Sequence, residues 1–428
     1  MNVKQQIECD LLVIGSGFAG MAAAGRASTL GLKTVQTGSS SSFFLASGLI
    51  DLLGVWPLEK QQILKMPETG VKLLKDDLPG HPYSKLAYTD LLESLAFIKG
   101  FLSDAGLKYQ SEKQMNQFVL TAAGSFKPSF LIPKTFVNGC TKNLNHKRVL
   151  FVDFKGLKGY SARQVANVSH WICPDAISMT IEIPEHSGDL TPVALANLFE
   201  SDQFINLITK IIQPRIKEVD LVGFPAVCGV YDSLAILTQI EELIGRPCFE
   251  IPGMPPSIPG VRLKNAFEKQ LSKQDVMVLN NARVKFNSFK DQAFFMTAVN
   301  QTMETPIKAK GVILATGRFQ GDGLHAKRGL IQETIFDLPV HQPQQREQWY
   351  DRDFFNPKGH AVNQAGIETT LAFQPMDKTG NPRFEHLYAA GSILAHNDWA
   401  RLKSGAGVSC VSAVTAVNCF YDAFKGGQ

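Results

Sequence analysis

The chain is poor in the features that mark metal clusters, disulfide scaffolds and nucleic-acid binding. Its seven cysteines are scattered through 428 residues with no CxxC pair, which argues against an iron–sulfur cluster or a disulfide framework. The net charge is only +4, and no motif for reading RNA or DNA accompanies it. The sequence therefore predicts no nucleic-acid partner and no bound metal.

Long apolar runs are missing as well. No stretch reaches the roughly 18–20 apolar residues of a membrane-spanning helix, and residues 1–10 lack the apolar core of a signal peptide. These observations predict a cytoplasmic protein that reaches a membrane only through a partner or a surface patch. Hydrophobic residues make up 44% of the chain and charged residues 19%, which is typical of globular proteins, and the length allows two or three domains.

A glycine motif near the start is the most informative feature present. Leu11, Leu12, Val13 and Ile14 form an apolar strand that runs into GSGFAG at 15–20. An Ala-rich helix over 21–30 and a second strand over 33–37 follow. This order predicts a βαβ unit that holds a pyrophosphate or phosphate at the helix amino terminus.

The rest of the chain is predicted to be a long insertion followed by a return to the first domain. Strand-like and helical runs alternate between 56 and 274, with strand-like runs at 149–154, 177–183 and 219–224. This alternation indicates an inserted α/β unit. A proline-rich loop at 251–260 precedes a helix over 262–271. An antiparallel meander over 282–309 then leads into the strand and turn 311–317, which ends in Ala-Thr-Gly, and a glycine-led helix begins at 405.

This order of motifs resembles the flavoprotein architecture in which both chain ends build the flavin domain. The fold class implied is α/β, with a Rossmann-like flavin-binding domain at 1–55 and 275–428 and an inserted α/β cap, substrate or partner domain at 56–274. We expect the cofactor to contact Gly15, Ser16, Gly17, Ala19, Gly20, Gln36, Ser47, Gly48, Ala315, Thr316, Gly317, Gly391, Ser392, Gly405, Ala406, Gly407 and Val408.

The second strand departs from the usual dinucleotide pattern. Such strands end in an acidic residue that binds the adenosine ribose, and we assign that position to Gln36. An uncharged amide forms a weaker hydrogen bond there. The cofactor is therefore either FAD with a weakened adenosine contact or FMN, which needs no such contact.

The chain is also similar, almost end to end, to the B subunits of bacterial anaerobic glycerol-3-phosphate dehydrogenases. The matching segments are SGLIDLL at 47–53, HPYS at 81–84, PPSIPGVRL at 255–263, ATG at 315–317, WY at 349–350 with DFF at 353–355, and AGS at 390–392. Parts of the middle domain and residues 393–404 depart from the family pattern.

The resemblance implies a flavoprotein, usually assigned FMN, that works with a larger catalytic A subunit and an iron–sulfur C subunit. Such a complex oxidises sn-glycerol 3-phosphate to dihydroxyacetone phosphate and passes electrons toward a quinone. It lies peripherally on the cytoplasmic face of the inner membrane.

A phosphorylated substrate needs cations, and alcohol oxidation needs a base. Arg318 is the best-placed cation because it follows the Ala-Thr-Gly turn; Arg262, Arg328 and Lys327 are further candidates. His81, in the HPYS segment, is our first candidate base.

His396 and His360 are weaker candidates for the base. Two other functions stay open: an independent flavin dehydrogenase or reductase of another small acid, and a scaffold protein that has lost its flavin.

Overall fold

The computed structural model describes residues 2–3, 6–39, 41–184, 188–301 and 303–426. The chain forms two compact units. The first comprises Met1–Ser42, Asp51–Phe101 and Phe267–Gln428, and the second comprises Phe43–Ile50 and Leu102–Ala266. The unit boundaries fall at different points from the predicted 55/56 and 274/275. Residues 56–101 and 267–274 group with the two chain ends, and residues 43–50 group with the second unit.

The first unit is built on an eight-stranded sheet. Its strands are Asn2–Val3, Ile7–Ile14, Thr34–Gly38, Met277–Asn280, Arg283–Lys290, Ala293–Val299, Met303–Leu314 and Leu387–Ala389. Ile7–Ile14 is paired in parallel with Thr34–Gly38 on one side and with Met303–Leu314 on the other. Four successive buried residues, Leu11 to Ile14, explain why this strand lies centrally.

The predicted meander and the predicted strand before Ala-Thr-Gly share one continuous strand. Met303–Leu314 pairs antiparallel with Ala293–Val299 along its first half. Its last residues pair in parallel with Leu387–Ala389. The mixed sheet thus passes from an antiparallel to a parallel arrangement within twelve residues.

The first unit also contains helices. They are Phe18–Thr29, Pro67–Asp77, Trp399–Leu402 and Gly405–Gly426, with 3₁₀ turns at Leu58–Lys60, Pro82–Lys85, Phe319–Gly321, Arg346–Gln348, Ala361–Gln364 and Gly391–Ile393. The last helix packs on Phe18–Thr29, where the Arg26 guanidinium donates to Asn418 at 2.7 Å. Two short strand pairs, Leu324–Lys327 with Leu330–Glu333 and Val340–His341 with Gly366–Ile367, complete the unit.

Among the described residues, one helix is long and apolar enough to cross a membrane. It is Gly405–Gly426, and 56% of its most apolar window is buried inside the protein. The expectation of no apolar stretch of this length was therefore wrong. A buried core helix passes the same test, so length and composition here are weak support for a membrane span.

The second unit holds a four-stranded parallel sheet. Its order is Cys248–Ile251, Leu221–Pro225, Val149–Phe154 and Ile177–Ile181. Smaller pairs are Tyr109–Gln110 with Ile132–Pro133 and Gln117–Leu120 with Phe126–Ser129. The helices are Thr141–Leu144, Ala162–Val168, Pro192–Leu198, Asp202–Ile212 and Ser233–Ile244, with 3₁₀ turns at Lys134–Gly139, Ser169–Trp171 and Gln213–Glu218.

The remaining elements span the unit boundaries in sequence. They are the 3₁₀ turn Ser41–Leu45 and the helices Tyr88–Asp104 and Ile258–Lys273. The last of these begins inside the proline-rich run that was predicted to be a loop to residue 260. Pro259 is accommodated because a proline in the first turn of a helix removes no helical hydrogen bond.

Candidate functional site

The carboxyl ends of the parallel strands meet at one edge of the first-unit sheet. Neighbouring turns are joined there by backbone hydrogen bonds. The amides of Gly15, Ala315 and Ala390 donate to the carbonyl oxygens of Thr37, Ile14 and Leu314, at 2.8, 2.9 and 3.0 Å. Ligands of open α/β sheets bind at this edge, so the structure brings the three predicted glycine-bearing turns together where a cofactor belongs.

Close backbone packing explains two of the motif glycines. A Cβ at Gly15 would overlap the Ala315 carbonyl oxygen, and one at Gly20 would overlap the carbonyl oxygen of Gly15. Gly15 also has φ +130°, which side chains rarely adopt. Gly17 caps the helix Phe18–Thr29 without a side-chain hydrogen bond, and this leaves the positive end of the helix dipole for an anion.

Unpaired polar atoms cluster at the same edge. Among the described residues, the side-chain oxygens of Ser16, Gln36, Thr37 and Thr316 are buried there and have no hydrogen-bond partner. A buried polar atom without a partner is costly and calls for an explanation. A flavin fits this edge because its phosphate and its ribityl hydroxyls supply the partners that these oxygens lack.

Gln36 does not lie where the sequence analysis placed it. The second strand ends at Gly38, and the fully buried Gln36 side chain donates from Nε2 to the Gly15 carbonyl oxygen at 3.1 Å. Gln36 therefore braces the glycine turn, and Gly38 occupies the strand end. A Cβ at Gly38 would lie 2.9 Å from the Ser16 amide nitrogen, so this position has no room for an acidic side chain.

The Gly391–Ser392 turn lies beside the other motifs. A Cβ at Gly317 would lie 3.5 Å from Ser392 Oγ, and one at Gly391 would contact Ala19 at the start of the first helix. The Gly391 amide donates to Ser412 Oγ on the terminal helix at 2.9 Å. The residues of all three turns that are predicted to contact the cofactor therefore lie on one surface.

The start of the terminal helix is only partly available to a ligand. The helix begins at Gly405, as predicted, and Gly405 and Ala406 are half-buried. The Gly407 amide donates to the Asp51 carbonyl oxygen at 2.8 Å, and the Val408 amide donates to Ser404. The amides of Gly407 and Val408 are thus committed within the protein.

Ser47 and Gly48 lie in the second unit, unlike the other predicted cofactor residues. Ser47 Oγ accepts a hydrogen bond from the Leu49 amide at 3.4 Å. The Gly48 carbonyl oxygen accepts one from the Tyr109 hydroxyl at 2.6 Å. These bonds hold the SGxxDLL segment in place, and a cofactor role for the two residues stays a prediction.

Arg318 follows the Ala-Thr-Gly turn and is surrounded by polar backbone groups of the first unit. Its guanidinium donates to the carbonyl oxygens of Asn363, Leu394 and Asn397, the latter two at 3.1 and 2.9 Å. Its Nε is buried and has no partner among the described residues. Burial lowers the pKa of Arg318 to about 10, against the attraction of Asp398, so it remains a cation at neutral pH.

His81 is joined to Arg318 through Asn397. The fully buried His81 ring accepts from the Tyr83 amide at Nδ1, and its Nε2 lies 3.3 Å from Asn397 Oδ1. Burial lowers its pKa to about 3. A ring that accepts at Nδ1 and is neutral carries its proton on Nε2, so His81 is a hydrogen-bond donor that orients Asn397 and a poor base at neutral pH.

The predicted role of Arg262 as a substrate-binding cation is wrong. Its side chain is buried in the second unit, with 5% of the residue exposed. The guanidinium donates to both carboxylate oxygens of Glu250, at 2.7 and 2.9 Å, and to the Gly229 carbonyl oxygen. Arg262 therefore has structural partners and does not present a free cation to a substrate.

The remaining candidates lie at the surface. Lys327 and Arg328 are exposed beside the turn that joins Leu324–Lys327 to Leu330–Glu333. His360 braces an exposed loop because its Nδ1 accepts from the Asp351 amide and its Nε2 lies 3.2 Å from the Phe354 carbonyl oxygen. A substrate role for Arg328 stays a prediction.

His396 lies near two polar residues that the sequence analysis missed. Its Nε2 lies 2.8 Å from Glu368, beside His341. These residues are distant in the chain and show no ligand spacing, so only the fold brings them together.

Comparisons with known proteins identify the family. A family model described as an FAD binding domain matches residues 10–408. The B subunit of anaerobic glycerol-3-phosphate dehydrogenase from Vibrio vulnificus (strain CMCP6) is 28% identical over 95% of each chain. The protein of the same name from Aliivibrio fischeri (strain ATCC 700601 / ES114) is 30% identical over 95% of this chain and 94% of that protein.

Among solved structures, 3-ketosteroid delta1-dehydrogenase from Sterolibacterium denitrificans covers 98% of this chain and 100% of its own, at 12% identity and a TM-score of 0.45. The family model and the relatives confirm the predicted α/β flavin-binding fold and oxidoreductase class. The chain belongs to the FAD binding domain family and, within it, to the family of anaerobic glycerol-3-phosphate dehydrogenase B subunits, so it is a flavin-dependent oxidoreductase component.

Proposed function

We propose that this chain takes part in oxidising sn-glycerol 3-phosphate to dihydroxyacetone phosphate, with electrons passed to a quinone. The relatives are named as B subunits of the anaerobic dehydrogenase, and we infer that the chain works with the catalytic A and iron–sulfur C subunits on the cytoplasmic face of the inner membrane. The observation that carries the proposal is a cationic, partly unpaired Arg318 directly after a flavin-site turn.

The first unit is the proposed flavin-binding domain, and the second is the proposed cap, substrate or partner domain. The unpaired oxygens of Ser16, Thr37 and Thr316 are proposed to hold the flavin phosphate and ribityl chain. A bound flavin would accept a hydride from the carbon that bears the secondary hydroxyl. FAD is supported by the family model, and FMN by the absence of a side chain at Gly38.

Substrate binding is assigned to Arg318. Its unpaired Nε–H is proposed to donate to the phosphate of the substrate, and its other donors fix the guanidinium against three backbone carbonyls. His81 positions Asn397, whose Nδ2 is also buried without a described partner. The Asn397 amide can therefore donate a second hydrogen bond to the same ligand.

Flavin binding is tested by Gly17→Val. Among the described residues, a Cβ at Gly17 meets Ser42 Oγ at 3.3 Å. A small movement of that hydroxyl accommodates the Cβ, whereas a phosphate bound at the helix end would collide with the added side chain. Gly100→Val is the matched control because no atom lies near a Cβ at that exposed helical position. We expect a folded, colourless Gly17→Val protein and a yellow control; full flavin content in Gly17→Val would refute the site.

The reaction is tested on the complex purified with its companion subunits. Pigment released from it and identified by mass separates FMN from FAD. Reduction of a quinone analogue is then measured with sn-glycerol 3-phosphate and with glycerol, and we expect turnover only with the phosphate ester. Equal turnover by the isolated chain on another small acid would instead support an independent dehydrogenase, and a colourless complex would support a scaffold.

A further inference from the structure

Three side chains able to ligate a metal converge in the first unit. His396 Nε2 lies 2.8 Å from Glu368 Oε1, and His341 Nδ1 lies 3.7 Å from the same oxygen. The two imidazole centroids are 4.1 Å apart. One ligand atom from each residue lies within 4.8 Å of the others, so small side-chain rotations bring all three to a common ion.

Backbone pairing holds the three residues in register. His341 pairs with Gly366 in a short antiparallel ladder, and Ile367, directly before Glu368, forms a bridge with Leu394. The His396 amide donates to the Gln364 carbonyl oxygen at 2.9 Å. The ligands therefore come from three hydrogen-bonded segments, which is the kind of support that a preorganised site needs.

The backbone of His396 adopts an uncommon conformation. Its φ is +61°, in the left-handed region that non-glycine residues seldom occupy and that often marks functional positions. Gly80 packs against the His396 ring so closely that a Cβ at position 80 would lie 2.6 Å from a ring carbon. The fold thus accepts local strain and a close contact to keep this imidazole beside Glu368.

We propose that His341, Glu368 and His396 bind one divalent transition-metal ion of the Zn²⁺ class. Two imidazoles and one carboxylate form a donor set that such ions accept, and three protein ligands leave a position for water or another oxygen ligand. Glu368 and His341 are exposed and His396 is half-buried, so an ion can reach the site from solvent. The site does not depend on the proposed flavin chemistry.

A neighbouring lysine lowers the expected affinity for a metal ion but does not occupy the site. Lys85 Nζ donates to the carbonyl oxygen and the hydroxyl of Thr369, at 2.6 and 2.5 Å, and it is directed at that residue. Its charge opposes a bound cation. A divalent ion with directional nitrogen ligands is therefore favoured over a monovalent ion held by charge alone.

Calorimetric titration of the full-length, chelator-treated protein with ZnCl₂ tests the proposal. We expect one ion per chain, irrespective of flavin content, and visible ligand-field absorption when CoCl₂ is used instead. His341→Ala, Glu368→Gln and His396→Ala should each weaken binding by at least about 100-fold. His325→Ala, at an exposed histidine in the strand Leu324–Lys327, should leave the affinity unchanged.

Thermal melts without metal establish that each variant is folded, and three independent ligand variants keep the test decisive if one of them is not. Substoichiometric Zn²⁺ in the wild-type protein would overturn the proposal. Wild-type affinity in folded Glu368→Gln would also overturn it, because the ion would then be held elsewhere and the cluster would be a His–Glu hydrogen-bonded pair.

Discussion

Arg262 and Arg318 follow similar sequence signals and have opposite environments. Every nitrogen of the Arg262 guanidinium donates to Glu250 or to Gly229. Arg318 is also largely buried, yet its Nε has no described partner. A fully paired buried cation has no donor left for a ligand, whereas a partly unpaired one keeps a donor that a ligand can use.

The same contrast separates two larger regions. Around Glu250 in the second unit, both carboxylate oxygens are used, and the Cys228 amide adds a further hydrogen bond at 2.8 Å. At the strand ends of the first unit, the buried oxygens of Ser16 and Thr316 have no partner among the described residues. Buried unpaired atoms also occur in the second unit, at Thr135 and Tyr160. They support a ligand site where several lie together at a ligand-binding edge, as at these strand ends.

The largest effect expected from this comparison is on stability. Glu250→Ala leaves the Arg262 charge buried and unpaired, and we expect it to lower the free energy of unfolding by about 3–5 kcal/mol. Urea denaturation measures the change. Lys155→Ala is the control because the Lys155–Glu182 ion pair is exposed and should contribute less than about 1 kcal/mol. Equal losses in the two variants would remove the distinction between the regions.

The next largest effect is expected on substrate binding. Arg318→Ala removes a charge-assisted hydrogen bond and should weaken binding of the anionic substrate by about 1.5–3 kcal/mol, or tenfold and more. KM for sn-glycerol 3-phosphate, measured on the complex with its flavin content checked, reports the change. Arg318→Lys should restore only part of the affinity because lysine lacks the planar fork. An unchanged KM in Arg318→Ala would exclude this role.

The glycine loop was predictable from sequence because its signals are local. An apolar strand, three spaced glycines and an Ala-rich helix lie within twenty residues, and the structure forms Ile7–Ile14 and Phe18–Thr29 there. Three of the four parallel strands of the second unit were also predicted closely, with Val149–Phe154 at its predicted bounds. The fourth, Cys248–Ile251, was not predicted. The hydrophobic periodicity and the turn-forming residues are sufficient to predict an element when the residues that pack together are also close in the chain.

The pairing of Arg262 and the position of Gln36 were not predictable in this way. Glu250 precedes Arg262 across a proline-rich loop, and no spacing rule joins them. Gln36 was taken for the end of the second strand, but the strand continues to Gly38. Element boundaries are the least certain part of a sequence prediction. The His341–Glu368–His396 cluster likewise depends on strand pairing between distant segments.

His81 should make stability depend on pH. Its folded pKa is about 3 because the ring is buried, whereas an unfolded histidine has a pKa near 6.5. Below pH 6.5 the unfolded state therefore binds more protons, and stability is lost as the pH falls. Between pH 6.5 and 5 the loss should approach about 2 kcal/mol.

The control for this pH effect is His81→Asn, which keeps an acceptor for the Tyr83 amide but does not titrate. Urea denaturation at both pH values should show the wild-type protein losing more stability than the variant. Parallel pH curves for the two proteins would mean that His81 is not held neutral.

The smallest effect expected concerns a single unpaired hydroxyl. Thr316→Val replaces Oγ1, which is buried without a described partner, by a methyl group of similar shape. Without cofactor, the variant should be as stable as the wild-type protein or slightly more stable, because a costly unpaired group is removed. With flavin, a hydrogen bond worth about 1 kcal/mol is lost, and the affinity for flavin should fall about fivefold.

Flavin titration and thermal melting of the apoprotein measure the two quantities separately. Only a ligand at this edge makes them move in opposite directions, so a variant that loses apoprotein stability and keeps its flavin affinity would assign Thr316 to the fold.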